Sequence, residues 1–149
     1  MLPAPGSLCR AGAEHVIVEG VTERRRITSN SPFEATIGFS RAVRVGERVL
    51  VSGTAPVFAD GSCPDDAGAQ ARRCLEIISI ALMEAGADLA AVVRTRMYLI
   101  DPIDADAVGA EHKRAFGAVR PAATMVVVAG LLDPRWKVEI EAEALLPGS

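Results

Sequence analysis

Residues 120–144 read RPAATMVVVAGLLDPRWKVEIEAEA, and this stretch decides the fold. Its first part, Ala122 to Ala129, is uncharged and rich in Val, which is typical of a strand buried on both faces. Its second part, Lys137 to Ala144, alternates apolar and charged residues, so one face is apolar and the other carries the carboxylates of Glu139, Glu141 and Glu143. We therefore predict two strands joined by a turn marked by proline.

The composition is that of a globular protein of one domain. The chain has 149 residues, is 50% apolar and carries a formal net charge of -3, a balance that argues against nucleic acid as a partner. No apolar run approaches the length that spans a bilayer, and we expect no signal peptide because the first residues lack a basic region followed by an apolar core. The three cysteines show no metal-ligand spacing. We predict a cytoplasmic protein with free thiols, no metal and no membrane partner.

The chain divides simply. Residues 1–20, which contain two prolines and three glycines, are interpreted as a loose N-terminal extension or an extra edge strand. Residues 21–149 are predicted to form a single domain. Within it, Ser29 to Glu34 form a turn cluster around proline, and a basic run, Arg24 to Arg26, is typical of a solvated strand face.

A hairpin follows this turn. Ile37 to Val45 and Arg48 to Gly53 are predicted strands, separated by the two residues Gly46 and Glu47. Ser52 and Gly53 end the second strand, where the missing Cβ of glycine lets a ligand or another backbone approach closely. A simple exit from the strand explains the glycine equally well.

Helices and strands then alternate. Asp65 or Asp66 is predicted to begin a helix that runs to about Ala85, with Cys74 as a small core residue on its apolar face. Ala91 to Ile100 is a strand, and a shorter helix runs from Asp104 to Phe116 with His112 on its packing face. This order predicts an α+β domain in which one sheet has helices on one face, and oligomerisation is the simplest cover for the other face.

Several chemistries lack their motifs. The sequence has no phosphate-binding GxxxxGK[ST] or GxGxxG loop and no GxSxG elbow. Its two histidines, His15 and His112, have no neighbouring cysteine, so a zinc site is not supported.

Four segments together resemble one family. The segments IGFSRAVRVGERVLVSGTAP (37–56), AQARRCLEIISIALMEAGA (69–87), RPAAT (120–124) and KVEIEAEA (137–144) are similar to the RidA family, also called the YjgF/UK114 family. The similarity covers about Arg26 to Leu145. It implies a chorismate-mutase-like fold, with a single mixed sheet and two helices on one face, that assembles as a homotrimer with a cleft between each pair of adjacent subunits.

The resemblance also implies an activity and a site. RidA proteins hydrolyse reactive enamines and imines to a carbonyl compound and ammonia without a cofactor. Carried onto this chain, the aromatic position of the family site falls on Phe39, the glycine on Gly53 with Ser52 before it, and the glutamate on Glu139. The family's arginine falls on Ala123, which is followed by Thr124 and Met125.

This alanine is the main departure from the family pattern. A guanidinium pairs bidentately with a carboxylate, whereas the methyl group of Ala123 offers neither charge nor donors. Arg120, just before Pro121, is a candidate replacement for the missing guanidinium. Glu139 is either a partly desolvated general acid/base or a solvated or ion-paired strand carboxylate.

Three functions follow from these residues. The first is an imine or enamine deaminase, a hydrolase with altered substrate preference. The second is a trimer whose intersubunit clefts bind a small metabolite without turnover, which Ala123 and Phe39 favour. The third, a ribonuclease, fits poorly with the acidic balance and the lack of a histidine pair.

Overall fold

The structure is a computed structural model that describes residues 23–148. The predicted N-terminal extension, residues 1–20, lies outside the described residues. The elements in chain order are β1 (Arg24–Ile27), α1 (Pro32–Ile37), β2 (Ala42–Val45), β3 (Arg48–Thr54), α2 (Ala67–Glu84), β4 (Val92–Leu99), α3 (Ala105–Phe116), β5 (Ala122–Val127) and β6 (Val138–Leu145). Short 3-10 turns, Leu89–Ala91 and Pro102–Asp104, precede β4 and α3.

The strands form one mixed sheet of six strands in the order β1-β2-β3-β6-β4-β5. The pair β4 and β5 is parallel, and the other neighbouring strands are antiparallel. The two strands formed by residues 120–144, β5 and β6, are therefore not neighbours, because β4 lies between them. The predicted hairpin of β2 and β3 is confirmed, with Gly46 at a φ of 59° in its turn.

The core lies between one face of the sheet and the helices. Alternate residues of β6, from Val138 to Ala144, are buried beneath α2, whose inner face includes Cys74, Ile78 and Leu82. Asp66 caps α2 by accepting the Ala69 N–H at 2.8 Å, as one of the two predicted caps. The prediction of a single mixed sheet with helices on one face is confirmed. Among residues 23–148, no helix has the length and apolarity needed to cross a bilayer.

The segment before β2 differs from its prediction. Ser29 to Glu34 is predicted as a turn and Ile37 as the start of a strand, but α1 occupies 32–37. Ser31 caps this helix in a capping box with Glu34, a proline stands in its first turn, and Gly38 at a φ of 86° ends it. These local signals outweigh the apolar pattern that suggested a longer strand.

The burial predicted for β5 is wrong in the single chain. This strand is the edge of the sheet, and Val126 and Val127 remain 42% and 51% exposed. A charge-free run of valines indicates that a strand is suited to burial, but it does not say which neighbour covers it.

Candidate functional site

The candidate site lies where β3 leaves β6. Val51 is opposite Ala142, but Thr54 is opposite Ile140, so the ladder shifts register between Val51 and Thr54. A bulge of this kind frees backbone groups from the ladder and re-aims side chains. Here the freed groups are the carbonyl oxygens of Ser52 and Gly53.

Arg41 binds both of these carbonyls. Its Nη2 atom donates to the Ser52 oxygen at 2.8 Å and to the Gly53 oxygen at 2.7 Å. The Ser52 N–H returns a hydrogen bond to the Arg41 carbonyl at 3.0 Å, and the Ser52 hydroxyl donates to the Ser40 carbonyl at 2.6 Å. The start of β2 and the end of β3 are thus held together by side-chain and backbone bonds.

Gly53 makes room for Glu139. A Cβ placed on Gly53 would lie 3.0 Å from Oε1 of Glu139, closer than an ordinary van der Waals contact. What lies close to Gly53 is the side-chain carboxylate of Glu139 on β6, rather than the ligand or second backbone that the missing Cβ was predicted to admit. The register also brings Tyr98 of β4 opposite Glu139.

The surroundings of Glu139 change its acidity. Partial burial raises the pKa of the Glu139 carboxyl above 4.5, the positive charge of Arg41 lowers it in part, and the negative charge of Glu141 adds to the increase. Burial disfavours the charged form of a carboxyl because its hydration is lost. A carboxyl with a raised pKa is a stronger base when ionised than an ordinary carboxylate and can exchange a proton with a reacting group.

Glu34 anchors the segment that carries Arg41. Its carboxylate is buried and accepts the backbone N–H groups of Ser29, Ser31 and Arg41 at 3.0–3.1 Å, together with the Ser29 hydroxyl at 2.9 Å. Burial raises the pKa of Glu34, but the hydrogen bonds outweigh it and the net shift is downward. Phe39, between α1 and β2, is half-buried and donates its N–H to the Glu34 carbonyl at 3.0 Å.

The other carboxylates of β6 have partners within the chain. Glu141 accepts the Tyr98 hydroxyl, and the same hydrogen bond raises the pKa of Tyr98. Glu143 lies 3.6 Å from both Arg48 and Arg96. Glu139 differs from both because its carboxylate lies against the Gly53 backbone.

The predicted residues of β5 lie apart from Glu139. Met125 is opposite Met97, a core residue, and packs against the core, so Ala123 and Met125 face the helix side of the sheet. Glu139 is opposite Tyr98 and faces the other side. Thr124, opposite Arg96, shares the face of Glu139 but stands two strands away. One chain therefore brings Ser52, Gly53 and Glu139 together, with Ala123 and Met125 on the opposite face.

Arg120 stands outside this group. It lies before β5 with a φ of 55°, its N–H bonds to the Phe116 carbonyl at 2.7 Å, and its side chain is exposed. A backbone in the left-handed region at a residue other than glycine is uncommon. Arg41 rather than Arg120 supplies the guanidinium whose charge acts on Glu139 in the single chain.

Cys74 and His112 have the packing roles expected of them. Cys74 is fully buried, its thiol bonds to the Thr54 carbonyl at 3.1 Å, and burial raises its pKa. His112 Nε2 is 2.7 Å from the hydroxyl of the buried Thr95, and its ring packs against Phe116. Burial lowers the pKa of His112, so the neutral ring is favoured.

The comparison with known proteins rests on most of the chain. A family model described as endoribonuclease L-PSP matches residues 28–146. A crystal structure from Mycobacterium tuberculosis, of a member of the YjgF/YER057c/UK114 family, superposes with a TM-score of 0.77 at 46% identity, covering 83% of this chain and 99% of that one. The chain belongs to the RidA family.

Curated relatives of this RidA-family chain agree with the assignment. An uncharacterised protein of Streptomyces coelicolor is 40% identical over 121 residues, covering 80% of this chain and 90% of that protein. A 2-iminobutanoate/2-iminopropanoate deaminase of Salmonella typhimurium is 36% identical over 123 residues, covering 79% of this chain and 94% of the enzyme. The resemblance predicted from the four segments is thus confirmed.

Two residues of the site were not among those predicted for it. They are Arg41, at the entry to the hairpin, and Tyr98 of β4. The available signal for Arg41 was its place two residues after Phe39, at the entry to the hairpin. Its contact with Ser52 and Gly53 depends on the bulge, which no local pattern announces.

Proposed function

We propose that this RidA-family protein is an imine or enamine deaminase that acts on small substrates without a carboxylate. The observation that carries the proposal is Glu139, a half-buried carboxyl of raised pKa held beside the Gly53 backbone at the position that matches the family's glutamate. The deaminase among the relatives supports the reaction class.

The proposed reaction is a hydrolysis in two proton-transfer steps. Ionised Glu139 takes a proton from water as the water oxygen bonds to the imine carbon, and the proton is passed to the imine nitrogen. A second proton transfer, from the new hydroxyl to the nitrogen, accompanies cleavage of the C–N bond. The products are a carbonyl compound and ammonia, and Glu139 is regenerated.

The substrate class follows from Ala123. A charge-assisted hydrogen bond to a carboxylate contributes about 1.5 to 3 kcal/mol, and Ala123 cannot make one. Arg41, the guanidinium whose charge acts on Glu139, is already bound to two carbonyls. Imines without a carboxylate lose nothing by the absence of a free guanidinium, so they are the expected substrates.

We also propose that the site is completed between subunits of a homotrimer. Positions 39, 53, 123 and 139 belong to one site in the family pattern, yet Ala123 and Glu139 face opposite sides of one sheet. Two copies are required to bring these positions together. The exposed valines of β5 support an interface at this edge.

Ammonia release tests the activity. Imines with and without a carboxylate are generated in situ by an amino-acid oxidase and an amine oxidase, and the spontaneous rate is subtracted. We expect acceleration chiefly for uncharged imines, and none with Glu139→Gln. Ala123→Arg should increase the rate on 2-imino carboxylates by about tenfold or more. Unchanged spontaneous rates for both imine classes would exclude the deaminase.

A binding protein without turnover is the second candidate. Ala123 and Phe39 favour it, because they lack the guanidinium of the family's arginine and the hydroxyl of the tyrosine that the family has at position 39. A metabolite that raises the melting temperature saturably and is recovered unchanged would support this function. A panel of small metabolites that produces no ligand-dependent shift would count against it.

A further inference from the structure

Arg41 is held at both its backbone and its guanidinium. Its N–H donates to the Glu34 carboxylate at 3.0 Å, and Nη2 binds the Ser52 and Gly53 carbonyls. The Glu34 carboxylate in turn accepts the backbone N–H groups of Ser29 and Ser31, which precede α1. A long, flexible side chain is thereby kept in one place, which is the usual requirement for a residue that supports a reacting group.

The hydrogen bonds of this guanidinium leave its charge uncompensated. Both acceptors on Nη2 are neutral carbonyl oxygens, and the buried Nε atom has no acceptor within the described part of the chain. Partial burial lowers the pKa of Arg41, while the charges of Glu34 and Glu139 raise it. Glu139 is therefore one of the two carboxylates whose charge Arg41 balances.

Glu34 cannot take over this role completely. Its carboxylate oxygens accept hydrogen bonds from Ser29, Ser31 and the Arg41 backbone, and it binds Arg41 through the main chain rather than the guanidinium. Glu139 lies against Gly53, whose carbonyl the Arg41 side chain holds. The guanidinium and the Glu139 carboxylate thus approach the same glycine.

We propose that Arg41 is the positioning residue of Glu139: its guanidinium fixes the Ser52–Gly53 bulge against the Glu139 carboxylate, and its positive charge favours the ionised form that serves as the base for water. The inference rests on the deaminase proposed above. It assigns to an arginine of the first hairpin a role that the family pattern does not place there.

Within residues 23–148, the other groups around Glu139 do not replace the charge of Arg41, since Arg96 of β4 lies 3.8 Å from Glu141 and 3.6 Å from Glu143 and pairs with them instead. Glu141, on the same strand, adds negative charge; Tyr98 of β4 donates its hydroxyl to Glu141; and Cys74 of α2 is a buried thiol. Arg41 is the positive charge that lowers the pKa of Glu139. Its removal should therefore favour protonated Glu139.

The test is a pH titration of Glu139 in the full chain. The carboxyl carbon is followed by ¹³C NMR, and its signal is assigned with Glu139→Gln. Arg41→Gln removes the charge, Arg41→Lys retains it, and Arg96→Gln is the control, since Arg96 pairs with Glu141 and Glu143 instead. We expect the pKa of Glu139 to be higher in Arg41→Gln than in the wild type, and close to the wild-type pKa in the other two variants.

The same variants have an expected kinetic signature. In Arg41→Gln the acid limb of kcat/KM for imine hydrolysis should move to higher pH, with a loss of roughly tenfold on the acid side and recovery at alkaline pH. Arg41→Lys should keep the wild-type limb. A loss that is equal at every pH, with an unmoved NMR titration, would mean that Arg41 only supports the fold and would overturn the proposal.

Two readouts keep the proposals separate. If no imine is hydrolysed, the deaminase proposal fails, while the NMR titration still shows whether Arg41 controls the ionisation of Glu139. Should Arg41→Gln not fold, Arg41→Lys decides. If the pKa of Glu139 rises in Arg41→Lys, which retains the charge, the proposed role of the charge is overturned. If that pKa is unchanged while the melting temperature falls, the role of the charge is supported.

Discussion

The Glu139 carboxylate lies so close to Gly53 that a Cβ on the glycine would be 3.0 Å from Oε1. The two residues come from β3 and β6, which are distant in sequence and adjacent in the sheet. Because the nearest atom is the end of a flexible side chain, an added methyl group would displace the carboxylate rather than the backbone. Gly53 therefore matters to where Glu139 points.

Gly53→Ala should reduce imine hydrolysis much more than stability. We expect about a tenfold or larger loss of kcat/KM, since a misplacement of about 1 Å can cost up to roughly 100-fold, and a change of less than about 1 kcal/mol in the free energy of unfolding. In the Glu139→Ala background the same substitution should cost no stability. Full activity of Gly53→Ala with an unmoved carboxylate would contradict this expectation.

Glu139→Gln should abolish hydrolysis but stabilise the protein at neutral pH. The pKa of Glu139 is raised in the folded state, so ionisation of this carboxyl opposes folding. Its favourable contribution to the free energy of unfolding is complete below about pH 4.5 and is lost as the pH rises through the folded pKa. Urea unfolding at pH 4 and pH 8 measures the difference between the variant and the wild type.

The matched control for this variant is Glu141→Gln. Glu141 accepts the Tyr98 hydroxyl and faces Arg96, so its neutralisation should lower stability at neutral pH. A stability advantage of Glu139→Gln that is larger at pH 4 than at pH 8 would reverse the expected sign.

Glu34→Gln should weaken the fold around α1. The amide has one acceptor oxygen in place of two, and lost charge-assisted hydrogen bonds cost about 1.5 to 3 kcal/mol. The pKa of Glu34 is lowered in the folded state. Its contribution to the free energy of unfolding is therefore present above about pH 4.5 and disappears as the pH falls through the folded pKa. The deficit relative to the wild type, measured by chemical denaturation, should therefore shrink in acid. Exposed Glu84→Gln is the control, with little expected effect at any pH.

Val126→Lys should disrupt the proposed trimer. Val126 lies on the edge strand β5 and is 42% exposed in the single chain, so a lysine there is tolerated by the monomer but not in an apolar interface. Light scattering coupled to size-exclusion chromatography should give a trimer mass for the wild type and a monomer mass for the variant. A trimer mass for Val126→Lys would show that the interface lies elsewhere.

Much of the fold was predictable because its signals are local. The alternation in KVEIEAEA predicted that β6 has one buried face, and Asp66 with the apolar positions of α2 predicted a helix lying on the sheet. The helix at Pro32–Ile37 was missed although its capping box is also local. The apolar residues after it favour a strand, and this longer pattern conflicts with the short capping-box signal of Ser31 and Glu34.

The candidate site was less predictable for a different reason. Ser52, Gly53 and Glu139 were selected from the family resemblance, and the structure brings them together. Arg41 was not predicted for the site, because its contacts with the Ser52 and Gly53 carbonyls depend on the bulge in β3. The separation of Ala123 from Glu139 was equally hidden, since the face of a β5 residue depends on its pairing with β4.

The sequence by itself determined most elements of this RidA-family protein and the buried face of β6, because periodicity and helix caps are local properties. Only the tertiary structure decided that β4 separates β5 from β6, that Arg41 holds the Ser52 and Gly53 carbonyls, and that Glu139 lies against Gly53. These relationships depend on strand register, in which a shift of one residue sends a side chain to the other face of the sheet.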